Sequence, residues 1–494
     1  MIPKSSNYRL EPSPLGIILF LLILQLAITL LTDGFGFSFD EAMWQYIGRN
    51  WFRHGLVPYS GGVDNKSPLI FSIYGLSDWL FGVNYWFPRV LGSIFQSVGI
   101  YFLYKIAKNL GGRQAGIFAI SFYGLSLLWR STDGKLVSLT ETYANTLIIF
   151  SVYRWLNSKK NRDYFIVGFF AGLGAGFRLS AFFGILALLI SSFRTNKFSA
   201  AFLVFGTISS LLLLTSAAYL AGINLHDFFT YGLIDNFGSG SPTDHSILWR
   251  IENFLNGFFY SELILFYPGL MGYFLLKKKY PLLTNWLICA FIGINVIGIY
   301  ARPHFKDILP VLSLMGSLAI TQLTQNYKIP ARPVLLIIWV VFFPKLVEPF
   351  VSLKKLIIKP PGQSEIYCRE PFHQTDDYSK KNLGIWIKSN TTEQETLLVA
   401  GYGAMVQAYS ERLSPSIYFN VTQTSRAKEK FKNDINLHFP NLIAIPLFSE
   451  YTQNVDRDIR SFIDGLIEKN YYFDRCMFGY GIYRLRPLKS PPVN

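Results

Sequence analysis

Long apolar runs separated by short polar segments dominate the first 350 residues of this chain. A bilayer core needs about 20 apolar residues per helix, and runs near this length recur along this part of the chain. Read against the Pro, Gly and charged residues that end them, the runs predict eleven membrane spans, near residues 13–32, 84–107, 114–130, 139–156, 164–177, 179–193, 198–220, 253–276, 281–300, 308–325 and 333–350. The sequence therefore predicts a polytopic α-helical membrane domain over residues 1–350.

The segment between the first two runs, residues 33–83, carries two further helical patterns. Apolar side chains at helical spacing predict a helix from Asp40 to His54 that ends at Gly55. The run after Pro68, LIFSIYGLSDWLF, is too short to span a bilayer and is rich in aromatic residues. This pattern predicts a helix lying in the membrane interface. Together the two helices would form a roof over a cavity at the outer membrane surface.

The pattern changes after residue 350, where helix-like and strand-like segments alternate. The segment DDYSKKNLGIWIKSN has a helical pattern and precedes TLLVAG, which has a strand pattern. NLIAIPL and FGYGIYRLR continue the alternation. Residues 351–494 are therefore predicted to form a small α/β domain on the outer side of the membrane.

The composition is that of a membrane protein and excludes several other classes. Hydrophobic residues make up 51% of the 494 positions and aromatic residues 17%, whereas charged residues make up 16%. A typical soluble domain has about 25% charged residues. These proportions exclude a soluble protein of this length, a disordered chain and a coiled coil. We therefore expect a multi-pass protein of the cell membrane.

The net charge of +15 is carried by short basic clusters between the apolar runs, which argues against a nucleic-acid partner. The clusters fall in alternate loops, and the positive-inside rule places those loops and the N-terminus in the cytoplasm. Eleven spans then place the C-terminal domain outside. Most carboxylates fall in the opposite loops, so a site that they form would face away from the cytoplasm.

Asp40 and Glu41 stand together at the start of the first predicted outer helix, and Lys66 follows in the sequence Asp-Asn-Lys-Ser-Pro. Carboxylates at a membrane surface are costly unless they are paired or used in function. Neighbours on a helix diverge by about 100°, so one can face a cavity while the other contacts a neighbouring element. Helix capping by Asp40 and snorkelling by Lys66 are the structural alternatives. Together the three residues indicate a pocket for an anionic group, with an Asp40 that ionises readily near water and cations.

The stretch FDEAMWQYIGRNWFRHGLVPYSGGVDNKSPLIF resembles the first extracytoplasmic loop of the GT-C glycosyltransferases that use polyprenyl-phosphate sugars. The most similar branch holds the protein O-mannosyltransferases, the aminoarabinose transferases and the rhizobial lipopolysaccharide sugar transferases. The Lys-Pro-Pro element of the family is Lys66-Ser67-Pro68 here, so one proline is replaced. Weaker likenesses continue in FGVNYWFPRVLGS, in RPHFKDILPVL and in the C-terminal domain.

The resemblance implies transfer of a sugar from a polyprenyl-phosphate donor to a lipid, glycan or protein acceptor. Asp40 would be the base for the acceptor in an inverting reaction, and Glu41 would orient it or hold a neighbouring arginine. Lys66 would contact the donor phosphate. Glu141 matches the acid that the family has at the start of the fourth span. Glu141 and Asp133 are therefore candidates for binding the acceptor, the sugar or a metal, and capping of the helix by Glu141 is the structural alternative.

Four more cations are candidates for the donor phosphate: Arg178, Arg302, His304 and Lys306. Arg178 lies between two apolar half-runs, where phosphate binding and snorkelling are equally good interpretations. The basic patch at 302–306 has a similar structural alternative. Since no His-x-x-x-His spacing exists, no metal site is predicted. A divalent cation would need Asp40, Glu41 and Glu141 to converge.

Two other functions compete with glycosyl transfer. A transporter or flippase of lipid-linked saccharides would show internal repeats and polar residues near mid-membrane. An O-antigen-polymerase-type enzyme would have a large outer loop between late spans. The sequence shows neither pattern. Three structural expectations follow: Asp40, Lys66 and Glu141 within about 10 Å of one another, a mobile lid at residues 221–251, and a disulfide between Cys368 and Cys476.

Overall fold

The computed structural model is a helical assembly followed by a small mixed sheet. It describes residues 13–32, 36–128, 138–234, 246–261, 263–298, 300–358, 377–421, 427–447 and 449–487. The helices up to residue 220 are α1 (Pro14–Thr32), α2 (Phe39–His54), α3 (Pro68–Phe81), α4 (Trp86–Leu127), α5 (Thr140–Leu156), α6 (Asn161–Phe177), α7 (Ala181–Thr195) and α8 (Lys197–Leu220). They continue with α9 (Leu225–Phe229), a π-helical turn (Thr230–Ile234), α10 (Ile247–Ser261), α11 (Leu263–Leu276), α12 (Pro281–Ile297), a 3₁₀ helix (Arg302–Asp307), α13 (Leu309–Asn326) and α14 (Ala331–Ile358).

Within the described residues, two helices are long and apolar enough to cross a bilayer by length and composition alone, α4 and α8. Shorter apolar helices lie at Pro14–Leu30, Ala181–Thr195, Ile264–Leu276, Pro281–Val296 and Ala331–Phe343. The count of eleven spans therefore stays a prediction. The second and third predicted spans correspond to the two helical segments of α4, which meet at a kink at Gly112, where the backbone is non-helical (φ 83°, ψ 179°). Elsewhere a helix boundary differs from the predicted runs. The predicted span 253–276 is divided between α10 and α11.

The two helices predicted in the first outer loop are confirmed. α2 ends at Gly55, whose φ of 67° lies in the left-handed region that glycine adopts readily. α3 begins with Pro68 in the first helical position, after the N-cap Ser67. The helices cross at Gly48 and Gly75, where the backbones are so close that a Cβ on Gly48 would lie 2.4 Å from the Gly75 nitrogen. This close crossing joins the two helices of the roof into one unit.

The C-terminal part of the chain contains a four-stranded sheet with strand order β1-β2-β4-β3. Its strands are β1 (Leu397–Val399), β2 (Leu442–Pro446), β3 (Tyr471–Met477) and β4 (Tyr480–Leu485), and its helices are α15 (Asp377–Ser389), α16 (Ala404–Ser410), α17 (Lys428–Leu437), α18 (Ser449–Asn454) and α19 (Arg457–Asn470). β1 and β2 are parallel, and the other pairs are antiparallel. β1 and β2 are buried along their whole length, as expected for strands covered by helices on both faces. We call this part the tail unit.

The tail unit packs directly on α2. The rings of Phe419 and Tyr46 are 4.2 Å apart, and the Ser414 backbone N–H donates to the Tyr46 hydroxyl at 2.8 Å. Arg49 of α2 forms an ion pair with Glu411 at 2.6 Å, and both side chains are largely buried. Residues of the tail unit and of α2 and α3 share one apolar cluster. The element that carries Asp40 is therefore fixed between α3 on one side and the tail unit on the other.

The cysteines are only partly within the described residues. Cys476 is disulfide-bonded, whereas Cys289 is free and buried in the helical core. Cys368, the predicted partner of Cys476, lies outside the described residues. The described part of the predicted lid, residues 221–234 and 246–251, contains α9, the π-helical turn and the start of α10. Its central Gly-Ser-Gly-Ser-Pro sequence lies outside the described residues.

Candidate active site

The site begins at the first turn of α2, which is fixed by a capping box. Ser38 Oγ accepts from the Glu41 backbone N–H at 3.4 Å, and Glu41 Oε2 accepts from the Ser38 backbone N–H at 2.9 Å. This reciprocal pair satisfies two helix-end donors. Ser38 is thus the N-cap, and the alternative role of Asp40 as the cap is wrong. The Asp40 carboxylate takes no part in this cap.

Asp40 is partly enclosed, and its charge is poorly compensated. Burial raises the pKa of its carboxyl from 3.8 to about 6, and the charge of Lys66 opposes this rise. The carboxylates of Asp64, Glu141 and Glu41 reinforce it. Our expectation of a readily ionised Asp40 is therefore wrong, because desolvation outweighs the nearby cation. A carboxylate whose pKa approaches neutrality is better suited to accept a proton than an ordinary aspartate.

Glu41 faces the opposite way and is completely buried in an ion pair. Arg89 Nη2 donates to Glu41 Oε2 at 2.6 Å, and Arg89 Nε donates to Oε1 at 3.0 Å. Tyr74 and the Ser138 backbone N–H donate to the same carboxylate, each at 3.2 Å. Burial alone would raise the pKa of Glu41, but the charge and hydrogen bonds of Arg89 outweigh it and lower the pKa. Of the two roles left open for Glu41, the structure favours holding a neighbouring arginine.

Lys66 lies in the turn before α3 and is half-buried. The Tyr59 hydroxyl donates to the Lys66 carbonyl at 2.7 Å, which fixes the backbone, while Lys66 Nζ donates to Asn65 Oδ1. The preceding Asp64 accepts from Trp44 Nε1 at 2.8 Å and so ties this turn to α2. The ammonium group is near enough to Asp40 and His304 to affect both electrostatically. The loop thus presents one cation beside the candidate base.

A second cluster of charged side chains joins α5 to the segments that precede α7 and α13. Arg178 Nη1 donates to Glu141 Oε1 at 2.6 Å, and Arg178 Nε lies 3.5 Å from Asp307 Oδ2. Ser180 bridges the two by accepting from Arg178 Nε at 2.7 Å and donating to Asp307 at 2.6 Å. Arg178 Nη2 is buried and makes no hydrogen bond within the described part of the chain. Since an unpaired buried donor is costly, this nitrogen is available for a ligand.

The predicted basic patch at 302–306 is only partly assembled at the site. Burial lowers the pKa of His304 to about 3, so its imidazole is neutral, and its Nδ1 is buried without a hydrogen bond among the described residues. Lys306 is fully buried and donates to Thr142 on α5 at 2.7 Å. Lys306 and Glu141 also interact electrostatically. The Arg302 side chain and all of Asp133 lie outside the described part.

Asp40, Lys66 and Glu141 are electrostatic neighbours, since the charges of the latter two both act on the Asp40 carboxyl. Their separation of about 10 Å stays a prediction. Three other members of the network were not predicted from the sequence: Arg89, Ser180 and Asp307. Arg89 stood in a stretch that carried a family likeness, and Asp307 directly follows the basic patch. Neither sequence feature predicted the charge partner, because Arg89 and Glu41 are 48 positions apart and Arg178 and Asp307 are 129 positions apart.

The carboxylates of this site are mostly compensated by arginines. Glu41 is held by Arg89, and Glu141 by Arg178. Across the ranges that the structure describes, no group of three or more His, Cys, Asp or Glu side chains is arranged to hold a metal ion. The arrangement instead offers one raised-pKa carboxylate beside a lysine and two unpaired nitrogen atoms. It can accept a proton and bind an oxyanion.

Comparison with known proteins finds one family model that matches part of the chain and solved structures that have a similar fold. Residues 65–223 match the family model of the dolichyl-phosphate-mannose-protein mannosyltransferases. ArnT from Cupriavidus metallidurans bound to undecaprenyl phosphate is similar in structure, with a TM-score of 0.60, 12% identity, and coverage of 97% of this chain and 99% of ArnT. ArnT in the apo state gives a TM-score of 0.57 at 12% identity, covering 95% and 97%. No curated protein matched the sequence.

The oligosaccharyltransferase of Archaeoglobus fulgidus, in complex with Zn and sulfate, has a TM-score of 0.53 at 13% identity. The match covers 96% of this chain and 74% of that protein. These similarities extend over nearly the whole chain and so show the shared fold. The predicted resemblance to the GT-C superfamily is confirmed.

Proposed function

We propose that this protein is an integral-membrane glycosyltransferase that moves a sugar from a polyprenyl-phosphate carrier to an acceptor at the outer face of the membrane. The observation that carries the proposal is the raised-pKa carboxylate of Asp40 beside Lys66, with the unpaired Arg178 Nη2 and His304 Nδ1 nearby. The match to a mannosyltransferase family model and the ArnT structure with undecaprenyl phosphate support this carrier class.

The proposed reaction is a single inverting displacement. The acceptor hydroxyl or amine attacks the anomeric carbon of the sugar while Asp40 takes the proton of the acceptor. The bond between the anomeric carbon and the phosphate oxygen breaks, and the polyprenyl phosphate leaves with both electrons of that bond. Lys66 and the Arg178 guanidinium stabilise the charge that develops on the phosphate, and His304 supplies a neutral hydrogen-bonding group.

Glu141 and Glu41 act through the groups that they hold. Glu141 directs one arm of Arg178 and leaves the other free for the phosphate. Glu41 and Arg89 fix the first turn of α2, so that the direction of Asp40 is set before substrate binds. Ser180, held by Asp307, fixes the Nε edge of the same guanidinium. We place the reaction on the outer face because the predicted topology puts these residues there, where a lipid carrier delivers the sugar.

Replacement of the base tests this function. In a deletion strain, mass spectrometry of the surface glycans should show one missing sugar that the wild-type gene restores and that Asp40→Asn does not. Binding of undecaprenyl phosphate by the purified Asp40→Asn protein should be retained. Glu468→Gln removes an exposed tail carboxylate and should restore the glycan fully. Restoration by Asp40→Asn would overturn the assignment and would favour transport of a lipid-linked saccharide.

A further inference from the structure

Tyr59 connects the loop that carries Lys66 to the elements around it. Its hydroxyl donates to the Lys66 carbonyl at 2.7 Å, and no other described residue donates to that carbonyl. Tyr59 is 1% exposed, and burial raises the pKa of its hydroxyl well above the ordinary value. The hydroxyl therefore stays protonated and remains a donor at every working pH. It fixes the backbone of the residue whose charge acts on the Asp40 carboxyl.

The backbone of Tyr59 adopts a conformation that is unfavourable for its residue type. Its φ is 71°, in the left-handed region where a Cβ crowds the following carbonyl oxygen. The Tyr59 N–H donates to the Gly62 carbonyl at 2.9 Å and closes this turn. A glycine would form the same turn without strain. Residues in such conformations persist where surrounding contacts hold them, and they are concentrated at functional sites. The strain at Tyr59 therefore directs attention to its side chain.

The ring of Tyr59 is held from two sides. Phe71 of α3 meets it edge to face, with ring centroids 6.1 Å apart. On the other side, Tyr231 of the π-helical turn stacks on it at 6.1 Å, and Phe228 of α9 lies at 6.3 Å. Lys430 of the tail unit donates to the Tyr231 hydroxyl at 3.1 Å. The π-helical turn thus contacts both Tyr59 and the tail unit.

The same turn also approaches the Tyr59 hydroxyl. A Cβ on Gly232 would lie 2.8 Å from the Tyr59 oxygen, which is closer than real Cβ atoms come to other atoms. A side chain at position 232 would therefore press on the hydroxyl that holds Lys66. The place of this hydroxyl depends on α3 on one side and on the π-helical turn on the other.

We propose that Tyr59 is a positioning residue of the donor site: its hydroxyl sets the place of Lys66 through the backbone, and the π-helical turn holds Tyr59 in the position that this requires. The inference rests on the proposed glycosyltransferase function. It adds to that function a residue that acts on the donor phosphate only through Lys66, and it assigns a purpose to the packing of residues 228–232 against the loop.

Binding of undecaprenyl phosphate to the full chain in nanodiscs tests the proposal without any transfer reaction. Tyr59→Phe keeps the ring and removes the hydroxyl, and it should weaken binding about fivefold, the effect of one hydrogen bond. In a Lys66→Met background the same substitution should change binding less than about twofold, because the group through which Tyr59 acts is gone. An equal loss in both backgrounds, or no loss in either, would overturn the proposal.

Tyr471→Phe is the matched control for this substitution. Tyr471 is 2% exposed, and its hydroxyl donates to the Pro440 carbonyl at 2.6 Å within the tail unit. Both substitutions remove a buried hydrogen bond from a tyrosine to a backbone carbonyl, so they should lower the unfolding temperature by similar amounts. Only Tyr59→Phe should weaken binding of undecaprenyl phosphate. The same loss of binding in Tyr471→Phe would show that binding follows stability alone and would overturn the positioning role.

The pH profile of transfer gives a second readout, which a purely structural role would not move. The charged groups that act on the Asp40 carboxyl are Lys66, Asp64, Glu141, Glu41 and Arg178. Lys66 lowers the pKa of Asp40, so a displaced Lys66 in Tyr59→Phe should move the inflection upwards, by less than Lys66→Met does. An inflection that stays at the wild-type pH would contradict the proposal.

Gly232→Ala tests the contribution of the π-helical turn. The added methyl group should weaken binding of undecaprenyl phosphate in the wild-type background and leave it unchanged in Tyr59→Phe, which has no hydroxyl to displace. An equal loss in both backgrounds would refute the role of the turn. Failure of the positioning role is distinguishable from failure of the proposed function: transfer that depends on Asp40, with binding that is insensitive to Tyr59→Phe, would refute the positioning role alone.

Discussion

At the residue scale, Asp40 and Glu41 show how neighbouring carboxylates acquire different properties. Glu41 receives two bonds from a buried arginine, and its pKa is lowered. Asp40 lies in the field of Lys66 without such a bidentate partner, and burial raises its pKa to about 6. Environments that shift the pKa values of two acids in opposite directions in this way give one acid a structural role and the other a proton-accepting role. The helix geometry produces this difference, because it points the two side chains to different neighbours.

The pH dependence of transfer follows from Asp40. A base must be deprotonated, so the rate should be constant above pH 7 and fall about tenfold per pH unit below pH 6. Lys66→Met removes the cation that opposes the raised pKa and should move the inflection of the residual activity upwards. A rate profile measured from pH 4.5 to 8.5 provides the check. An inflection near pH 4, or one that ignores Lys66→Met, would contradict the role of Asp40.

The same raised pKa has a consequence for stability. An acid with a folded-state pKa above its unfolded value destabilises the fold at every pH above the folded pKa, and this cost disappears below the unfolded pKa. At pH 7 the cost for Asp40 is about 1–3 kcal/mol. Asp40→Asn should therefore be inactive and yet unfold at a higher temperature than wild type at pH 7, with no difference at pH 4. Such a result would separate lost chemistry from lost folding.

The Glu41–Arg89 pair should behave as a buried ion pair. Either Glu41→Gln or Arg89→Leu leaves one group buried without its partner, at a cost of about 3–5 kcal/mol. Thermal unfolding of the purified protein in detergent measures this loss. The partly exposed Arg154–Asp163 pair, 4.0 Å apart, is the matched control, and Arg154→Gln should cost much less, because it leaves the two backbone hydrogen bonds of Asp163 in place. An equal loss of stability in Glu41→Gln and in the control variant would show that burial of the Glu41–Arg89 pair has no energetic importance.

At the element scale, the crossing of α2 and α3 depends on small residues. Gly48→Ala would place a methyl group 2.4 Å from the Gly75 nitrogen and force the helices apart, at a cost of about 1–3 kcal/mol. Gly465→Ala on α19 has open space around the new methyl group and should stabilise the protein by about 0.5–1 kcal/mol. Unfolding temperatures of the two variants give the comparison. Tolerance of alanine at Gly48 would mean that the roof is more deformable than its contacts indicate.

The sequence predicts such elements better than it predicts their partners. The end of α2 at Gly55 and the start of α3 at Pro68 were predictable, because helix-stop and helix-start chemistry is local. The break between two predicted spans was predictable as well, since it falls at the Gly112 kink within α4. The network of Arg178, Glu141 and Asp307 was not, since charge partners are set by packing between distant helices. Residue types indicated which chemistry was possible, and the tertiary structure determined which side chains are partners.

At the scale of the whole molecule, the tail unit and Asp40 must face the same side of the membrane. The tail unit contacts α2 through Arg49–Glu411, Tyr46–Phe419 and a shared apolar cluster. Asp40 lies in the first turn of that same helix. The side occupied by the tail unit is therefore the side on which Asp40 would act in the proposed transfer, whichever direction the remaining helices take.

Labelling of variants that each carry one introduced cysteine, in intact cells with a membrane-impermeant maleimide, tests the predicted orientation. Lys469→Cys places a thiol at an exposed position of the tail unit, and Lys278→Cys places one in a predicted cytoplasmic loop. Of the native cysteines within the described residues, Cys289 is buried and Cys476 is disulfide-bonded, so neither competes. We expect Lys469→Cys to be labelled without lysis and Lys278→Cys to be labelled only after it, as the positive-inside rule requires. The reverse pattern would place Asp40 in the cytoplasm together with the tail unit and would refute transfer at the outer face while leaving the fold intact.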